Sequence, residues 1–328
     1  MIDTFLRRIL SILIGIPLVL LGSTAHAQQP TVYRVGVLLP GDTWYEIIDG
    51  LRIGLKQLGL EDGKQLKLEI HDWTGDAKTA EKAAKTFEQE KVDLVYTTST
   101  NSALAAKRAT TNLPIVFCAG TDPVVVGLVD SFAKPGGRLT GVYNPVTDLT
   151  AKRLEILKEM IPTLRRVVTF YDPHRTTAIE SSKLAREAAR QMGIKLFERH
   201  VTSPDELQAA MRALKAREVD AYLAVSDSVA SNQSQFIVDT ARVKKLPTMF
   251  DFQSHVLKGG LASYTVSLRE VGRLSAKYVQ RVLAGVKPQD LPVEGVDKIE
   301  LVINLKTAKQ IGLAVPPNVL ARADKVIR

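Results

Sequence analysis

Short apolar segments alternate with amphipathic helical segments along most of this 328-residue chain, and the alternation restarts near its middle. Val32 to Leu39 read as a first strand, and Ile47 to Leu58 place apolar residues at the spacing of a helix face. Arg166 to Tyr171 read as a new first strand. Strands that alternate with helices predict parallel sheets covered on both faces. The sequence therefore predicts an α/β fold of two doubly wound, Rossmann-like parallel-sheet lobes, joined near Asn144-Pro145.

The other predicted elements continue this pattern in both halves. Further strands are predicted at Leu66 to His71, Asp93 to Thr97, Ile115 to Cys118, Leu139 to Tyr143, Ile194 to His200, Ala221 to Val225, Thr248 to Phe250 and Leu261 to Tyr264. Helices are predicted at Asp76 to Glu90, Asn101 to Thr110, Asp122 to Phe132, Asp148 to Met160, Pro204 to Ala216, Ala230 to Lys244 and Leu268 to Ala284. Asp122 before Pro123 is the pattern of an N-cap followed by proline at the first helical position.

The first 27 residues have the pattern of an export signal. Arg7-Arg8 precedes an apolar run from Ile9 to Gly22, and Ala25-His26-Ala27 is the small-x-small pattern that a signal peptidase accepts. The alternative, an uncleaved membrane anchor, is disfavoured because the run is short and is interrupted by glycine and proline. We expect cleavage after Ala27 and a soluble periplasmic product.

The composition excludes several classes of protein. A content of 45% hydrophobic and 24% charged residues is that of a globular chain and not of a disordered one. With a single cysteine, Cys118, the exported chain has no internal disulfide, so its stability must come from the core. The net charge of +9 arises from Lys and Arg interleaved with acidic residues, as on solvated helix faces. No helix-turn-helix segment precedes the first strand, so nucleic-acid binding is not expected.

Motifs of the common catalytic and cofactor sites are missing from the sequence. There is no Gly-x-Ser-x-Gly elbow, no Gly-x-x-x-x-Gly-Lys-Ser/Thr loop, and no Gly-x-Gly-x-x-Gly after the first strand. The histidines are not spaced as metal ligands, and Cys118 ends an apolar strand without an evident base. These residues are interpreted as structural. We expect no catalytic residues, no metal and no cofactor.

Nine short segments, in order along nearly the whole mature chain, carry a family resemblance. They are residues 55–64 (LKQLGLEDGK), 105–111 (AAKRATT), 113–117 (LPIVF), 122–124 (DPV), 134–137 (KPGG), 139–141 (LTG), 152–157 (KRLEIL), 301–308 (LVINLKTA) and 311–317 (IGLAVPP). The chain resembles the type I periplasmic substrate-binding proteins of ABC transporters, in the family that includes tryptophan- and other aromatic-amino-acid-binding members. The resemblance implies two lobes connected by three hinge strands, a small-molecule ligand clamped between them, and delivery to a permease in the cytoplasmic membrane.

The resemblance also divides the chain into regions. Residues 1–27 are the predicted signal peptide, 28–145 with roughly 266–293 the N-terminal lobe, and 146–265 with roughly 294–328 the C-terminal lobe. A monomer is expected. The loop at residues 98–102 departs from the Gly-Thr-Pro-Ala type that is common in the family, so the resemblance implies no particular ligand.

Ligands of doubly wound sheets bind outside the carboxyl ends of the strands, where loops expose N–H groups at helix starts. Two such lobes facing each other form a cleft, so the residues after strand ends are the predicted ligand-binding set. In the first lobe these are Asp42, Thr43, Trp44, Tyr45, Thr98, Ser99, Thr100, Asn101, Ser102, Gly120, Thr121 and Asp122. In the second lobe they are Tyr171, Asp172, Arg175, Ser226, Asp227, Ser228, Asp251 and Gln253.

Two of these assignments have a structural alternative. Trp44 and Tyr45 would form an aromatic wall for a flat apolar ligand, or one of them would pack between loop and helix. Asp122 would line the cleft, or it would only cap a helix. A ligand carboxylate is expected at the hydroxyls and N–H groups of Ser99 to Ser102.

The sequence favours capture of a small molecule, with amino acids and other small carboxylates among the possible ligands. One alternative is an exported enzyme that uses the same cleft, with acid/base groups drawn from Asp42, Asp122, Asp172, Asp227 and Asp251. Another is an extracytoplasmic sensor that presents its closed form to a receptor. Turnover of the ligand would identify the enzyme.

Overall fold

The computed structural model describes residues 32–74, 77–215 and 217–328. The predicted signal peptide and its cleavage site lie outside the described residues, and so do Asp76 and Ala216 at the ends of two predicted helices. Within the described ranges, none of the helices combines the length and the apolar character that crossing a membrane requires.

Strands and helices alternate along the described chain. The strands are β1 Tyr33–Leu39, β2 Leu66–Asp72, β3 Leu94–Thr97, β4 Ile115–Ala119, β5 Leu139–Tyr143, β6 Arg166–Tyr171, β7 Lys195–His200, β8 Ala221–Leu223, β9 Thr248–Phe250, β10 Ala262–Val266, β11 Glu294–Gly295, β12 Ile299–Asn304 and β13 Lys325–Ile327. The helices are α1 Tyr45–Gln57, α2 Ala77–Gln89, α3 Thr100–Ala109, α4 Thr150–Met160, α5 Thr176–Gln191, α6 Pro204–Ala213, α7 Ser228–Asn232, α8 Ser234–Val243, α9 Gln253–Leu257, α10 Leu268–Leu283, α11 Leu305–Ile311 and α12 Pro317–Leu320.

The strands form two sheets that share a strand order. The first sheet has the order β11-β5-β4-β3-β1-β2, with parallel neighbours throughout. The second has the order β13-β12-β10-β9-β8-β6-β7, in which β12 runs antiparallel to β10 and the other neighbours are parallel. The order β5-β4-β3-β1-β2 therefore recurs as β10-β9-β8-β6-β7. The predicted fold of two doubly wound sheets is confirmed, with β12 as an antiparallel addition.

Both faces of each sheet bury apolar side chains. Along β1, Val35 and Val37 pack in the cluster that contains α1 and α10, whereas Leu38 packs in the cluster that contains α2 and α3. In the second sheet, Val167 and Val168 divide between two clusters in the same way. This two-residue alternation is what strands covered by helices on both faces require.

The chain passes between the two sheets three times. It leaves the first sheet after β5, returns to it through α10, and leaves again between β11 and β12. Helix α10 lies so close to α1 that a methyl group at Gly50 would overlap the carbonyl oxygen of Arg269, and one at Gly272 that of Ile47. Glycines thus allow a late helix to complete the first half of the molecule. We call the first sheet with α1–α3 and α10 the first lobe, and the second sheet with the other helices the second lobe.

The helix predicted from Asp122 to Phe132 is wrong, since this segment forms successive turns. The Asp122 carboxylate accepts hydrogen bonds from the N–H groups of Val124 and Val125, as an N-cap does. The helix does not continue because three consecutive valines have low helix propensity and Gly127 adopts a φ of 68°. The Gly127 carbonyl then accepts a hydrogen bond from Lys107 Nζ at 2.6 Å. The N-cap hydrogen bonds are therefore present, but the residues that follow Asp122 do not form a helix.

The helix predicted from Ala230 to Lys244 is interrupted. Gln233 separates the five-residue α7 from the ten-residue α8. Asp227 caps α7, which places the start of this helix earlier than its apolar periodicity indicates. Because of this break, the helix that follows β8 at its carboxyl end, α7, is only five residues long.

Candidate functional site

A cleft lies between the lobes, where the carboxyl ends of both sets of strands face each other. It contains about 500 Å³ of empty space, part of which is open to solvent. The first lobe and the crossing after β5 contribute Pro40, Trp44, Ile47, Trp73, Thr98, Ser99, Thr100, Asn101, Gly120, Asn144, Val146, Thr147 and Leu268. The second lobe contributes Thr177, Ser226, Asp227, Ser228 and Phe252.

One part of the lining is apolar. Trp44 and Phe252 meet edge to face, with ring centroids 5.7 Å apart and an interplanar angle of 71°. Ile47, Val146 and Leu268 belong to the same buried apolar cluster. Because the two rings come from different lobes, this surface is assembled only when the lobes are together. It suits a flat apolar group of a ligand.

A second part of the lining is polar and is built around the start of α3. Ser99 is the N-cap, and its hydroxyl accepts a hydrogen bond from Ser102 N at 3.1 Å. Thr100 Oγ1 accepts from Gly120 N at 3.0 Å and from Thr121 N at 3.2 Å, which ties the loop after β4 to this helix. The first-turn N–H groups and the helix dipole favour an anion at this position.

Asp227 faces the cleft from the second lobe as the N-cap of α7. Its Oδ1 accepts from Ala230 N at 2.8 Å, and its Oδ2 accepts from Asp172 N at 3.1 Å. Burial raises the pKa of Asp227 to about 6, although these two N–H groups and Arg175 act to lower it. Asp227 is the one carboxylate among the described residues that line the cleft. At neutral pH the second lobe therefore presents a negative charge where the first presents neutral groups.

Three lining residues hold buried polar atoms that have no hydrogen-bond partner among the described residues. The atoms are Asn144 Oδ1, Ser226 Oγ and Ser228 Oγ. These residues are 4%, 9% and 6% exposed, respectively. An unsatisfied buried polar atom costs about 1–3 kcal/mol. A polar ligand in the cleft would supply the missing partners.

Hydrogen bonds cross the cleft between the lobes. Asn101 Nδ2 donates to Thr177 Oγ1 at 3.0 Å, and Asn232 Nδ2 donates to the carbonyl oxygen of Pro40 at 2.8 Å. A methyl group at Gly41 would overlap the Asn232 amide, so the absence of a side chain there permits the contact. The structure is therefore a closed arrangement of the two lobes.

Trp73 and Arg175 form a further contact across the cleft. Trp73 follows β2 directly, and its Nε1 donates to Ser102 Oγ at 3.0 Å. The Arg175 guanidinium carbon lies 5.3 Å from the centroid of the Trp73 ring, and Arg175 Nε donates to Asp172 Oδ2 at 3.1 Å. Cation–π contacts of this kind contribute about 0.5–2 kcal/mol. Asp172 and Arg175 thus act on the cleft through a lining residue of the other lobe.

A group of buried charged side chains lies behind the second-lobe wall. Burial raises the pKa of Asp251 to about 7 and lowers that of Arg153 to about 10. Burial also lowers the pKa of His255 to about 3, so the imidazole is neutral at physiological pH. Its Nδ1 lies 3.8 Å from Asp251 Oδ1, and its Nε2 lies 3.3 Å from Thr43 Oγ1 of the first lobe. Arg153 Nη2 donates to the carbonyl oxygen of Val146, in the crossing segment between the lobes.

A comparison with protein families identifies the chain. The family model described as ABC transporter substrate binding protein matches residues 34–327. The chain belongs to this family. It is a solute-binding component of an ABC transporter, which captures a small molecule between its lobes and delivers it to the permease.

Similar proteins include binders of aromatic amino acids. A tyrosine-binding protein of Clostridioides difficile (strain R20291) is 27% identical over 259 residues, which are 79% of this chain and 74% of that protein. A conserved domain protein from Vibrio cholerae has a TM-score of 0.83 at 30% identity, covering 90% of this chain and 100% of that one. An ABC domain from Streptococcus pneumoniae, solved in complex with L-Trp, has a TM-score of 0.81 at 27% identity with the same coverage.

About half of the predicted ligand-binding residues line the cleft of this substrate-binding protein. They are Trp44, Thr98, Ser99, Thr100, Asn101, Gly120, Ser226, Asp227 and Ser228. All of them lie at or just after the carboxyl end of a strand. Their contact with a ligand stays a prediction, since the structure holds none.

The other first-lobe residues of the predicted set lie beside the lining. Asp42 is exposed and Tyr45 is 37% exposed, so the aromatic surface uses Trp44 without its neighbour. Ser102 supports Trp73, and Thr43 contacts the second lobe through His255. The remaining two stabilise the loop after β4: Thr121 Oγ1 lies 3.0 Å from Thr147 Oγ1, and Asp122 caps a turn.

The other second-lobe residues of the predicted set lie outside the cleft lining. Tyr171 donates its hydroxyl hydrogen to Glu198 Oε1 at 3.0 Å, away from the lining. Asp172 and Arg175 stand behind Trp73, as described above. Asp251 is in the buried charged group, and Gln253 is half-buried at the start of α9.

Several lining residues were missed although they obey the same strand-end rule. Trp73 follows β2 and Asn144 follows β5. Phe252, two residues after β9, was predicted only as a substitute aromatic candidate, next to Tyr171 and Phe250, if Trp44 and Tyr45 proved wrong. The sequence signal was present in each case. The predicted strand at 66–71 ends one residue before β2 does, and Asn144 was interpreted only as the connection between the two lobes. Thr177 lies in the first turn of α5, beyond the predicted loop after β6, and this helix was not predicted.

Cys118 is held inside the first lobe. The thiol is fully buried between Tyr96 Oη at 2.9 Å and Ser275 Oγ at 3.2 Å, and burial raises its pKa to about 11. A thiol with such a pKa is a poor nucleophile at neutral pH. No group of three or more His, Cys, Asp or Glu side chains among the described residues is arranged to hold a metal ion.

Proposed function

We propose that this substrate-binding protein captures an α-amino acid with a flat, apolar side chain, and that an aromatic amino acid is its ligand. The observation that carries the proposal is a cleft with two chemically distinct parts. One part is the aromatic pair of Trp44 and Phe252, and the other combines the start of α3 with Asp227 and Asn144. A ligand with an apolar ring and two charged groups is complementary to both parts.

The relatives support this ligand class. The C. difficile relative is a tyrosine-binding protein, and the S. pneumoniae domain was solved with L-Trp. At the aromatic end of the cleft, the hydroxyl groups of a sugar would find few hydrogen-bond partners. Aromatic rings also stack on the flat apolar faces of ligands. The apolar cluster around Trp44 therefore favours an aromatic side chain over a polyhydroxylated ligand.

We also propose that the protein binds without catalysis. Acid/base chemistry with two carboxylates needs both groups at the reacting atoms. Of the five aspartates considered, Asp227 alone lines the cleft among the described residues, and its carboxylate accepts two backbone hydrogen bonds. The family is one of substrate-binding proteins, which supports the same conclusion.

The remaining parts of the proposal concern location and assembly. We propose export by the predicted signal peptide, cleavage after Ala27, a periplasmic location, and action as a monomer that does not bind nucleic acid. The lobes would rotate about the three crossings, which follow β5, β10 and β11. The lobe boundary at the third crossing would then fall after Gly295, because β11 pairs with β5 of the first sheet.

The test is a thermal-shift screen of the mature protein against the L-amino acids, with sugars and simple carboxylates as comparison classes. Aromatic amino acids should raise the melting temperature, since ligand at 100 times Kd stabilises by about 2.7 kcal/mol. Calorimetry gives the affinity of the best ligand, and mass spectrometry of the recovered ligand tests for turnover. Stabilisation by another class alone, or a chemically changed ligand, would refute the proposal.

A further inference from the structure

His255 lies behind the aromatic pair that joins the two lobes. Its ring meets Phe252 edge to face with centroids 5.5 Å apart, and it meets Phe250 in the same way at 5.2 Å. Its Nε2 lies 3.3 Å from Oγ1 of Thr43, the residue that directly precedes Trp44 in the first lobe. His255 is thus a second-lobe side chain that contacts both halves of the aromatic surface, Phe252 directly and Trp44 through its neighbour.

The groups that bury this imidazole come from both lobes. His255 is 1% exposed and Thr43 is 4% exposed in the closed arrangement. The rings of Phe250 and Phe252 belong to the same lobe as His255 and stay with it when the lobes separate. Thr43 belongs to the first lobe, so opening removes it from Nε2 and lets water reach that nitrogen. The solvation of this ring atom therefore depends on whether the lobes are closed.

The closed arrangement disfavours a proton on this ring. A charged imidazole in a buried site loses its hydration, and this burial lowers the pKa of His255 to about 3. The nearest acid is Asp251, whose Oδ1 lies 3.8 Å from His255 Nδ1. Burial raises the pKa of Asp251 to about 7, so in acid it carries little charge that would stabilise an imidazolium. The charged groups that act on Asp251, Arg153 and Asp227, belong to the second lobe, so its own titration does not depend on closure.

The other ionisable groups around His255 do not compensate a charge on it. Lys258, at the end of the same helix, lowers the pKa of His255 further. Glu46 of α1 is directed to Ser254 and Lys258. The remaining ionisable residues of the neighbouring elements are exposed, paired with one another, bonded to the backbone or packed on the other face of the sheet: Asp42, Arg153, Asp239, Arg242, Tyr264, Lys298 and Glu300. In acid, the closed form therefore offers an imidazolium little compensation for its burial.

We propose that His255 is a positioning residue that couples closure of the lobes to the loss of a proton: Thr43 covers the imidazole only when the lobes are closed, so capture of the small molecule is weaker in acid. In the open form the ring takes up a proton from solvent at Nε2. On closure that proton returns to solvent, and Nε2 accepts a hydrogen bond from the Thr43 hydroxyl. The proposal concerns closure and holds for any small molecule that closes the lobes. L-tryptophan is the probe because an aromatic amino acid is the ligand proposed above.

The test is the dissociation constant of L-tryptophan at pH 7.5 and at pH 5.0, measured by calorimetry for the unmodified protein and for His255→Gln. Glutamine keeps a hydrogen-bonding side chain for Thr43 and does not titrate. Between these pH values, binding to the unmodified protein should weaken by about fourfold to thirtyfold more than binding to the variant, for an open-form pKa between roughly 5.5 and the ordinary 6.5. The comparison of the two proteins removes the effect of Asp227, a lining carboxylate that titrates in the same range.

His200→Gln is the matched control, because the His200 ring contacts Tyr171 within the second lobe and closure leaves that contact unchanged. The ratio of its two dissociation constants should equal that of the unmodified protein. A second measurement needs no variant. In an NMR titration of the unmodified protein, one histidine ring should have a higher pKa in the ligand-free form than in the form saturated with L-tryptophan.

The outcomes separate this proposal from the proposed function. Equal pH dependence in the unmodified protein and in His255→Gln would overturn the coupling, and so would histidine rings whose pKa values do not change when L-tryptophan is added. Both results leave the proposed ligand in place, since L-tryptophan binds in each. If L-tryptophan does not bind, the proposed ligand is wrong, and the compound that stabilises the protein most in the thermal-shift screen replaces it in the same two measurements.

Discussion

The two lobes have the same strand order and differ most where they face each other. The first lobe begins its cleft-facing helix with Ser99 and continues it for ten residues, whereas the second begins with Asp227 and stops after five. The first sheet is entirely parallel, and the second gains the antiparallel β12. A repeated topology thus sets where a loop meets the cleft. The residues of that loop set the charge of the N-cap and the length of the helix that faces the cleft.

The lobes also contribute different groups to the walls. Trp44 and Trp73 come from the first lobe, and each meets a second-lobe group, Phe252 and Arg175, respectively. Neither wall is complete within one lobe. This explains how a ligand that contacts both lobes selects the closed arrangement, since its affinity for the closed form exceeds that for the open one.

The largest expected effect comes from making the two helix caps alike. Ser99→Asp preserves an N-cap side chain and gives the first lobe the charge of the second. A carboxylate ligand at the start of α3 would then meet a like charge at short range, and two such charges repel by about 4 kcal/mol at 4 Å in a protein-like dielectric. Calorimetry should show affinity for L-tryptophan reduced by at least about 100-fold.

The control for that variant is Ser203→Asp, which makes the same change at the N-cap of α6, outside the cleft lining. Both variants should keep the melting temperature of the unmodified protein to within a few degrees, because aspartate is a good cap. Retained affinity in Ser99→Asp would show that the ligand carboxylate does not bind at α3.

The next effect tests the aromatic surface that the two lobes build together. Trp44→Ala should weaken binding of an aromatic amino acid by about 1–3 kcal/mol, the scale of a buried apolar contact. Tyr45→Ala is the matched control, since Tyr45 is the adjacent aromatic residue and does not line the cleft. Equal losses in the two variants, measured by calorimetry, would contradict the aromatic surface described here.

A third prediction concerns the pH dependence of stability around His255, the second-lobe residue that contacts Thr43 of the first. Its pKa of about 3 in the folded protein lies below the ordinary 6.5, so between these values the unfolded chain binds a proton that the folded chain excludes. Stability from this group is present above pH 6.5 and is lost as pH falls toward 3. Asp251 acts oppositely: its pKa is raised from 3.8 to about 7, so its contribution is lost as pH rises through that range.

His255→Gln removes the first contribution and keeps a hydrogen-bonding side chain. Relative to the unmodified protein, the variant should gain stability as pH is lowered from 6.5, by at most about 1.4 kcal/mol per pH unit. Urea unfolding between pH 4.5 and 7.5 measures the difference. A flat difference for His255→Gln would mean that the buried imidazole is not kept neutral.

The smallest expected effect concerns the contacts that hold the lobes together. Asn232→Ala removes the hydrogen bond to the Pro40 carbonyl and, by its net value of about 0.5–1.5 kcal/mol, should weaken ligand binding by roughly twofold to tenfold. Asn112→Ala, at an exposed position outside the cleft lining, should have no such effect. Scattering with subsaturating ligand should show a larger mean radius for the Asn232 variant. An unchanged affinity would show that this hydrogen bond does not favour closure.

Much of the fold was predictable from the sequence because it depends on local pattern. Short apolar strands and the helical periodicity between them are properties of short segments, and the structure confirms the two doubly wound sheets that they predict. The rule that ligands bind at strand ends then located Ser99, Asp227 and Trp44 at the cleft. The false helix after Asp122 shows the limit of this reasoning, since a cap pattern is local and helix continuation also depends on the residues that follow.

Which of those strand-end residues face each other was decided only by the tertiary structure. The sequence places Trp44 and Tyr45 side by side, and packing buries one at the cleft while leaving the other exposed. The pairs Trp44–Phe252, Trp73–Arg175 and Asn232–Pro40 join residues more than 100 positions apart. Such pairs depend on how two independently patterned sheets are set against each other. No local periodicity encodes that arrangement, because it follows from the three crossings and from the close packing of α10 on α1.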